Sequence, residues 1–453
     1  MTVPNETNSP SVSIETLGCK VNLFESEYIY HQLQSDDWNR AGDGPADLCV
    51  INTCTVTREA DRQSRQVIRR AIRNNPDATI VVTGCYAEMQ REKCAEIEGV
   101  DLVVPGTEKL RIPEIISRTL KSGQPIPATS SDRAASMPIE AVAGFESRTR
   151  AYLQVQQGCD NGCTFCIIHE ARGASRSVLP TTVTRQVERY VRQGFREVVV
   201  CGIDLGAYGT DLSAGLGAEL SLSSLLRELA TRHPDLRFRL SSIDPAHVSS
   251  DLISVFDEFG NVCPHLHLSL QSMSPIILKR MKRRYTPEDV FHAAEAMYRT
   301  RPDLVISADV MVGFPTESDD DFERTRRALH ELEVSYPHIF AYSERDGTPA
   351  ARIPRQVPHE IRKQRAQLLR YESREIRSKT LRRFVGHRVK VLVENVIEPS
   401  SGLTRSRMAN FIPVYFRPDD GYGQTYQNVE IAGMCRDGLQ GMPVAEDAVS
   451  FGS

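Results

Sequence analysis

Short apolar runs alternate with amphipathic stretches along most of the chain. In the first quarter, residues 12–17, 48–52 and 79–83 have the apolar bias of strands, while 24–35 and 59–74 carry apolar positions at helical spacing. Strand and helix in alternation predict a doubly wound α/β domain over residues 11–125. Pro125, Pro127 and the serine-containing stretch 129–136 then read as a linker. A second α/β pattern follows, with strands expected at 151–156, 197–201, 237–241, 265–270, 307–311 and 337–342 and helical stretches between them. This predicts a partial (βα)6 barrel over residues 145–378, with its chemistry at the C-terminal mouth. The last segment changes character. Arg388 to Glu394 alternates, and short strand-like pieces at 411–416 and 427–432 are broken by Gly and Pro, so residues 382–446 read as a small all-β, OB-like barrel. No internal repeat of about twenty to fifty residues is visible.

Composition narrows the class without naming a function. A chain of 453 residues suggests about three domains, and 40% hydrophobic with 25% charged residues is ordinary for a globular protein. There is no run of about eighteen apolar residues to span a bilayer. The first thirteen residues are polar and read as a short disordered leader rather than a secretory signal. Eleven cysteines at irregular spacing argue against a disulfide framework and for reduced thiols in the cytoplasm. The net charge of -4 conceals a basic segment: residues 352–407 hold fifteen Lys or Arg against five Asp or Glu. Such a segment suits either a solvated helix surface or a polyanionic partner.

The cysteines change the picture. Cys159, Cys163 and Cys166 stand in Gly158-Cys159-Asp160-Asn161-Gly162-Cys163-Thr164-Phe165-Cys166, a spacing that wraps one loop around an iron–sulfur cube. Three thiolates supply three of the four ligands of a 4Fe-4S cluster, which leaves one iron open as a reaction site. Zinc is the alternative, with His169 as the fourth ligand, and three unrelated buried thiols are another. In the first domain, Cys19, Cys54 and Cys85 each follow an expected strand beside Gly18, Asn52 and Gly84. In such sheets ligands collect at the carboxyl ends of the strands, so a second three-cysteine cluster is expected there. The competing reading is core cysteines at strand tips, as for Cys49 inside its apolar run.

The loop resembles the signature of radical S-adenosylmethionine enzymes, and with Thr16-Leu17-Gly18-Cys19-Lys20-Val21-Asn22, Asn52-Thr53-Cys54-Thr55-Val56-Thr57 and Thr83-Gly84-Cys85-Tyr86-Ala87 the likeness extends over nearly the whole chain. The chain is similar to the radical S-adenosylmethionine methylthiotransferases, and within them to the branch acting on N6-threonylcarbamoyladenosine next to the tRNA anticodon. The resemblance implies an N-terminal cluster domain, a radical barrel and a C-terminal TRAM barrel. It implies two 4Fe-4S clusters and S-adenosylmethionine: Cys159, Cys163 and Cys166 for the radical-generating cluster, and Cys19, Cys54 and Cys85 for an auxiliary cluster that handles sulfur. Around the cofactor it points to Phe165, Gly202, Asp204, Gln271, Asp309, Gly313 and Tyr342. An electron donor such as flavodoxin or ferredoxin is implied, while the sulfur donor is left open. His169, Val178 and Met273 depart from the family pattern, which puts details of cofactor contact in question.

RNA contact has its own signal. Arg58, Arg62, Arg65, Arg69 and Arg73 recur at helical spacing, a like-charged stripe that costs stability unless phosphate relieves it. The bland reading is a solvated face partly neutralised by Glu59 and Asp61. Lys279, Arg280, Lys282, Arg283 and Arg284 form a second basic group, and Arg382, Arg383, Arg388 and Lys390 lead into the last barrel. The expected function is methylthiolation at C2 of N6-threonylcarbamoyladenosine in the tRNA anticodon arm. The alternatives are the same chemistry on isopentenyladenosine or on an aspartate of a ribosomal protein, and a non-catalytic iron–sulfur or zinc RNA-binding protein.

Overall fold

A computed structural model describes residues 9–42, 44–122, 142, 144–145, 148–216, 220–418 and 425–444. Most of the expected leader, the expected linker, and the expected domain ends at 125 and 446 lie outside the described residues. The chain divides into two compact units. One comprises Met1–Ala143 with Gln157–Asn161 and Cys166–Val178, and the other Gly144–Gln156, Gly162–Phe165 and Leu179–Ser453.

In the first unit, β1 (Ser11–Thr16), α1 (Lys20–Ser35), β2 (Asn39–Arg40), β3 (Leu48–Thr53), α2 (Arg58–Asn74), β4 (Thr79–Gly84), α3 (Cys85–Met89), α4 (Arg91–Ala95), β5 (Leu102–Val103) and α5 (Ile112–Ser122) follow in chain order. The strands make one parallel sheet in the order β2-β1-β3-β4-β5. Every residue of β3 is buried, as a central parallel strand requires. Thr16 pairs with Asn52 and Thr53 with Gly84, so the carboxyl ends of β1, β3 and β4 lie side by side. Thr57 caps α2 by accepting from the Ala60 amide, and the helix buries Ser64, Ile68 and Ala71.

Further along come β6 (Ala151–Gln154), β7 (Gln156–Gln157), α6 (Ile168–Arg172), β8 (Arg176–Ser177), α7 (Pro180–Arg192), β9 (Glu197–Cys201), α8 (Thr210–Leu216), α9 (Leu222–Arg232), β10 (Arg237–Leu240), β11 (Ser242–Ile243), α10 (Ser250–Glu258), β12 (His265–Gln271), α11 (Pro275–Met281), α12 (Pro287–Thr300), β13 (Val305–Val312), α13 (Asp319–Glu331) and β14 (Tyr336–Ala341). In the second unit, β6, β9 and β10 form one parallel sheet and β11 to β14 another. The two meet where the chain bends at Ser241: β10 pairs with β9 before the bend, and β11 pairs with β12 after it. The result is the expected open six-stranded αβ barrel.

The long α14 (His359–Arg382) then leads to β15 (Arg388–Ile397), β16 (Thr404–Met408), β17 (Pro413–Phe416), β18 (Tyr426–Cys435) and β19 (Gly438–Pro443), which close a five-stranded barrel. Its core includes Val389, Val391 and Val393, the apolar positions of the alternating run, with Val414, Phe416, Val429 and Leu439. The basic excess of residues 352–407 falls largely on α14, and part of it is structural. Arg362 and Arg365 are buried, the first donating to the Tyr342 carbonyl at 3.0 Å and the second paired with Glu317 at 2.5 Å and Asp319 at 2.6 Å.

Candidate functional site

Three thiols meet at the carboxyl edge of the first unit's sheet. Cys19 is the N-cap of α1, Cys54 leaves β3, and Cys85 opens α3 directly after β4. Two glycines make the approach possible. A Cβ on Gly18, at φ +96°, would stand 2.8 Å from Cys54 Sγ, and one on Gly84, at φ +94°, would stand 2.4 Å from the Thr53 carbonyl oxygen. Side chains hold the turns: Asn22 donates to the carbonyls of Leu17 (2.6 Å) and Thr53 (3.1 Å), and Ser64 to that of Cys54 (2.9 Å). Burial pushes the Cys54 thiol up to about 11, and the nearby Cys85 and Cys19 push it the same way. Such a thiol keeps its proton at neutral pH until a metal displaces it. Cys49 and Cys94, by contrast, belong to the apolar core.

A buried ion cluster adjoins this edge. Arg172 donates to Cys85 Sγ from Nε at 3.1 Å, and from Nη1 to Glu25 at 2.7 Å and to Gln157 Oε1 at 3.1 Å, while Nη2 reaches Asn22 Oδ1. Lys109 pairs with the other oxygen of Glu25. Burial opposes ionisation of Glu25, but Arg172 and Lys109 outweigh it and hold the carboxyl below its usual range. None of Arg172, Glu25 and Lys109 stood out in the sequence.

The 158–166 loop carries its own donors to sulfur. In the first unit the Asn161 amide lies 3.4 Å from Cys159 Sγ and the Ile168 amide 3.4 Å from Cys166 Sγ. In the second unit Arg283 Nη1 lies 3.5 Å from Cys163 Sγ, and the same guanidinium is paired with Asp244 at 2.7 Å. Arg283, grouped by sequence with the RNA-facing arginines, is thus turned inward toward a cysteine. The His169 ring lies 3.8 Å from the Glu170 carboxylate.

The expected cofactor residues of the second unit gather at the strand ends. A Cβ on Gly202 would stand 2.9 Å from Gln156 Oε1, which accepts from the Asp204 amide at 2.8 Å. Burial opposes ionisation of Asp204, but His247 at 3.5 Å and Arg284 outweigh it and hold its carboxyl down. Gln271 ends β12 in the left-handed region, at φ +56°, and its buried Oε1 has no hydrogen-bond partner among the described residues. Gly313, at φ +72°, has room for no side chain, since a Cβ would stand 2.3 Å from Arg362 Cγ. Phe165 packs edge-on against Phe314, which packs in turn against Tyr342. Asp309 sits deeper, mid-strand, where His267 (3.1 Å) and His338 (3.3 Å) converge on one of its oxygens. Burial opposes its ionisation, and the two imidazoles more than offset that, leaving the carboxyl well below its usual range.

The arginine stripe lies on the exposed side of α2. Arg58, Arg62, Arg69 and Arg73 are exposed; Arg65 is half-buried and donates to the Tyr86 hydroxyl at 3.2 Å, and Arg62 pairs with Glu59 at 2.5 Å. In the second unit Arg284 and Arg388 are about half-exposed, the latter beside Glu430 at 3.2 Å, and Arg383 pairs with Glu333 at 3.0 Å.

A sequence model described as the uncharacterized protein family UPF0004 matches residues 11–105, and that of the radical SAM superfamily matches residues 153–329. The threonylcarbamoyladenosine tRNA methylthiotransferase MtaB of Rickettsia prowazekii is 37% identical over 429 residues, covering 94% of this chain and 96% of that one. The chain belongs to the radical SAM methylthiotransferase family. The Bacillus subtilis protein of the same name is 41% identical over 79% of each chain, and the tRNA-2-methylthio-N(6)-dimethylallyladenosine synthase of Thermobifida fusca is 32% identical over 91% of this chain and 84% of its own. Among solved structures, the radical S-adenosylmethionine methyltransferase TsrM of Kitasatospora setae shares the fold, with a TM-score of 0.54 at 15% identity over 76% of this chain and 75% of that one.

The residues present fit the groups this radical SAM methylthiotransferase would hold. Three thiols at three adjacent strand ends, with glycines where a Cβ would collide, are the soft donor set for an iron–sulfur cube. The unpartnered oxygen of Gln271 offers an acceptor to an ammonium group such as that of methionine, and Gly202 and Gly313 follow β9 and β13 of the same barrel.

Proposed function

We propose that this chain installs a methylthio group at C2 of N6-threonylcarbamoyladenosine, position 37 of tRNA, working in the cytoplasm with electrons from a flavodoxin or ferredoxin. The observation that carries the reading is full-length similarity to enzymes named for that substrate, in a chain whose six motif cysteines stand in two sets of three. When bound, the clusters and S-adenosylmethionine supply a carbon radical strong enough for an unactivated aromatic C–H bond, together with sulfur and a methyl group.

The protein's own residues then bind and orient. Cys159, Cys163 and Cys166 hold one cluster, and Cys19, Cys54 and Cys85 the other. Gln271, Gly202 and Gly313 receive the methionine part of the cofactor, Phe165 and Tyr342 wall the pocket, and Asp204 buttresses it through His247. Asp309, held by His267 and His338, contributes to the cofactor side of the pocket. The functional segments are 11–125, 145–378 and 382–446, and among the described residues no helix is long and apolar enough to cross a membrane.

Nucleoside mass spectrometry of tRNA from cells with and without this chain tests the reading. Methylthiolated threonylcarbamoyladenosine should vanish without it. Loss of methylthiolated isopentenyladenosine instead would transfer the same chemistry to the other acceptor, and no change in either would remove tRNA as the substrate.

The stripe on α2 gives a separate expectation. Alanine at both Arg69 and Arg73, two exposed positions, should weaken tRNA binding about tenfold at moderate salt and make the slope of log K against log salt shallower by about 1.5. An unchanged slope in a filter-binding titration would return the stripe to a merely solvated face.

A further inference from the structure

The most deeply buried charges of the first unit belong to Glu25, Lys109 and Arg172, which are 1%, 1% and 3% exposed. Removing ions from water costs several kcal/mol each unless geometry repays it, and apolar residues of similar volume often pack as well or better. The geometry here is specific. Lys109 takes one oxygen of Glu25, and Arg172 takes the other with Nη1 at 2.7 Å, which leaves its Nε–H to point at Cys85 Sγ, 3.1 Å away. A neutral thiol is a weak acceptor, whereas a thiolate accepts a charge-assisted bond. A buried guanidinium aimed at sulfur is therefore best explained by a sulfur that carries negative charge when the protein works.

The segment that delivers Arg172 is fixed by the radical-cluster loop. The Cys159 amide donates to the Gly173 carbonyl at 3.1 Å and the Ser175 amide to Asp160 Oδ1 at 3.0 Å. Gly158 passes so close that a Cβ there would stand 1.9 Å from the Ala174 carbonyl oxygen. The backbone path that sets Cys159 and Cys166 is thus also the path that aims Arg172 at Cys85.

We propose that Arg172 is a positioning residue for the N-terminal cluster: anchored by Glu25, it orients the Cys85 thiolate and raises the reduction potential of the cluster by hydrogen bonding to that ligand. This rests on the reading of Cys19, Cys54 and Cys85 as cluster ligands. A cationic donor at a ligand sulfur stabilises the extra electron of the reduced state, so removing it makes the cluster harder to reduce. Lysine keeps the charge but cannot serve sulfur, carboxylate and amide oxygens together from one planar fork.

Full-length protein carrying C159A, C163A and C166A, reconstituted anaerobically with iron and sulfide, isolates the N-terminal cluster. In that parent, Arg172→Gln, Arg172→Lys and the pair Glu25→Gln with Arg172→Gln are compared by iron per chain and by redox titration followed by electron paramagnetic resonance. The paired variant preserves the net charge of the trio and guards against simple misfolding. The expected result is iron retained, the midpoint shifted to lower potential in both glutamine variants, and an intermediate midpoint for lysine. Loss of iron in both glutamine variants with retention in the lysine variant supports the positioning role equally. Midpoints and iron content matching the parent in all three overturn it. A parent that holds no iron overturns instead the assignment of Cys19, Cys54 and Cys85.

Discussion

Alanine at Cys19, Cys54 and Cys85 should abolish methylthiolated product while reductive cleavage of S-adenosylmethionine continues, whereas alanine at Cys159, Cys163 and Cys166 should abolish both. The physical basis is a division of labour between two thiol sets on different parts of the chain. The strand-end set is assembled by the parallel register of β1, β3 and β4, and no residue of the 158–166 loop is needed to bring those three thiols together. On the proposed assignment the 158–166 loop would hold the cluster that supplies the electron for sulfonium cleavage, so 5′-deoxyadenosine should accumulate without product. Cys54 alone should suffice as a single substitution, because β3, which delivers it, lies between β1 and β4, and its thiol, pushed up to about 11 by burial, is one that metal must deprotonate. The assay pairs chromatography of 5′-deoxyadenosine with nucleoside mass spectrometry, and iron per chain should fall by about half in either triple variant. Product formation by the Cys19, Cys54 and Cys85 variant would end the two-cluster reading.

The parts of this protein that were legible in its sequence are those that periodicity and spacing encode. The apolar run Leu48-Cys49-Val50-Ile51 marks β3 as a buried strand, and a cysteine close behind each of β1, β3 and β4 points to their shared carboxyl edge. The alternation from Arg388 to Glu394 likewise fixed which residues face the core of the last barrel. What escaped were ions with structural duties. Glu25 sits on the face of α1 that also buries Phe24 and Ile29, and Arg172 follows Cys166 by six residues, yet a charged residue in a sequence looks the same whether water or another ion solvates it. Arg283 shows the same ambiguity within a run. Its guanidinium pairs with Asp244 and donates to the Ser269 carbonyl with little exposure, whereas Arg284, which also reaches the buried Asp204, stays about half-exposed, and only the fold makes that distinction. The charge of α14 allows either a solvated helix surface or a polyanion site, and neither reading singles out Arg362 and Arg365, which are buried against Tyr342 and Glu317.

Glu197→Gln should destabilise the second unit by about 3–5 kcal/mol, the usual cost of removing one partner from a buried ionic network. Glu197 opens β9 with no exposed surface, and one of its oxygens accepts from Arg150 at 2.8 Å and from Arg239 at 2.7 Å. Arg150 continues to Glu394 at 2.6 Å, which is shared with Arg405 and Arg407, so the network ties the starts of the αβ-barrel strands to β15 and β16 of the closed barrel. The Phe411 ring stacks on His265 within the same cluster of guanidinium groups. Burial opposes ionisation of Glu197, but Arg239 and Arg150 outweigh it and hold the carboxyl down to about 2. A depressed carboxyl stabilises the folded state above its ordinary value of 4.5, and that contribution disappears as pH falls from there through about 2. The parent should therefore lose stability steeply across this window. The glutamine variant, already lacking the charge, should lose less, and the gap between them should close toward pH 2. Denaturation followed by far-ultraviolet circular dichroism at several pH values measures this, with Trp38, the single tryptophan and a member of the first unit, as an internal reference by fluorescence. A dichroism midpoint that is unchanged by the substitution at pH 7, or a gap that widens on acidification, would remove Glu197 from the ionic support of the barrel.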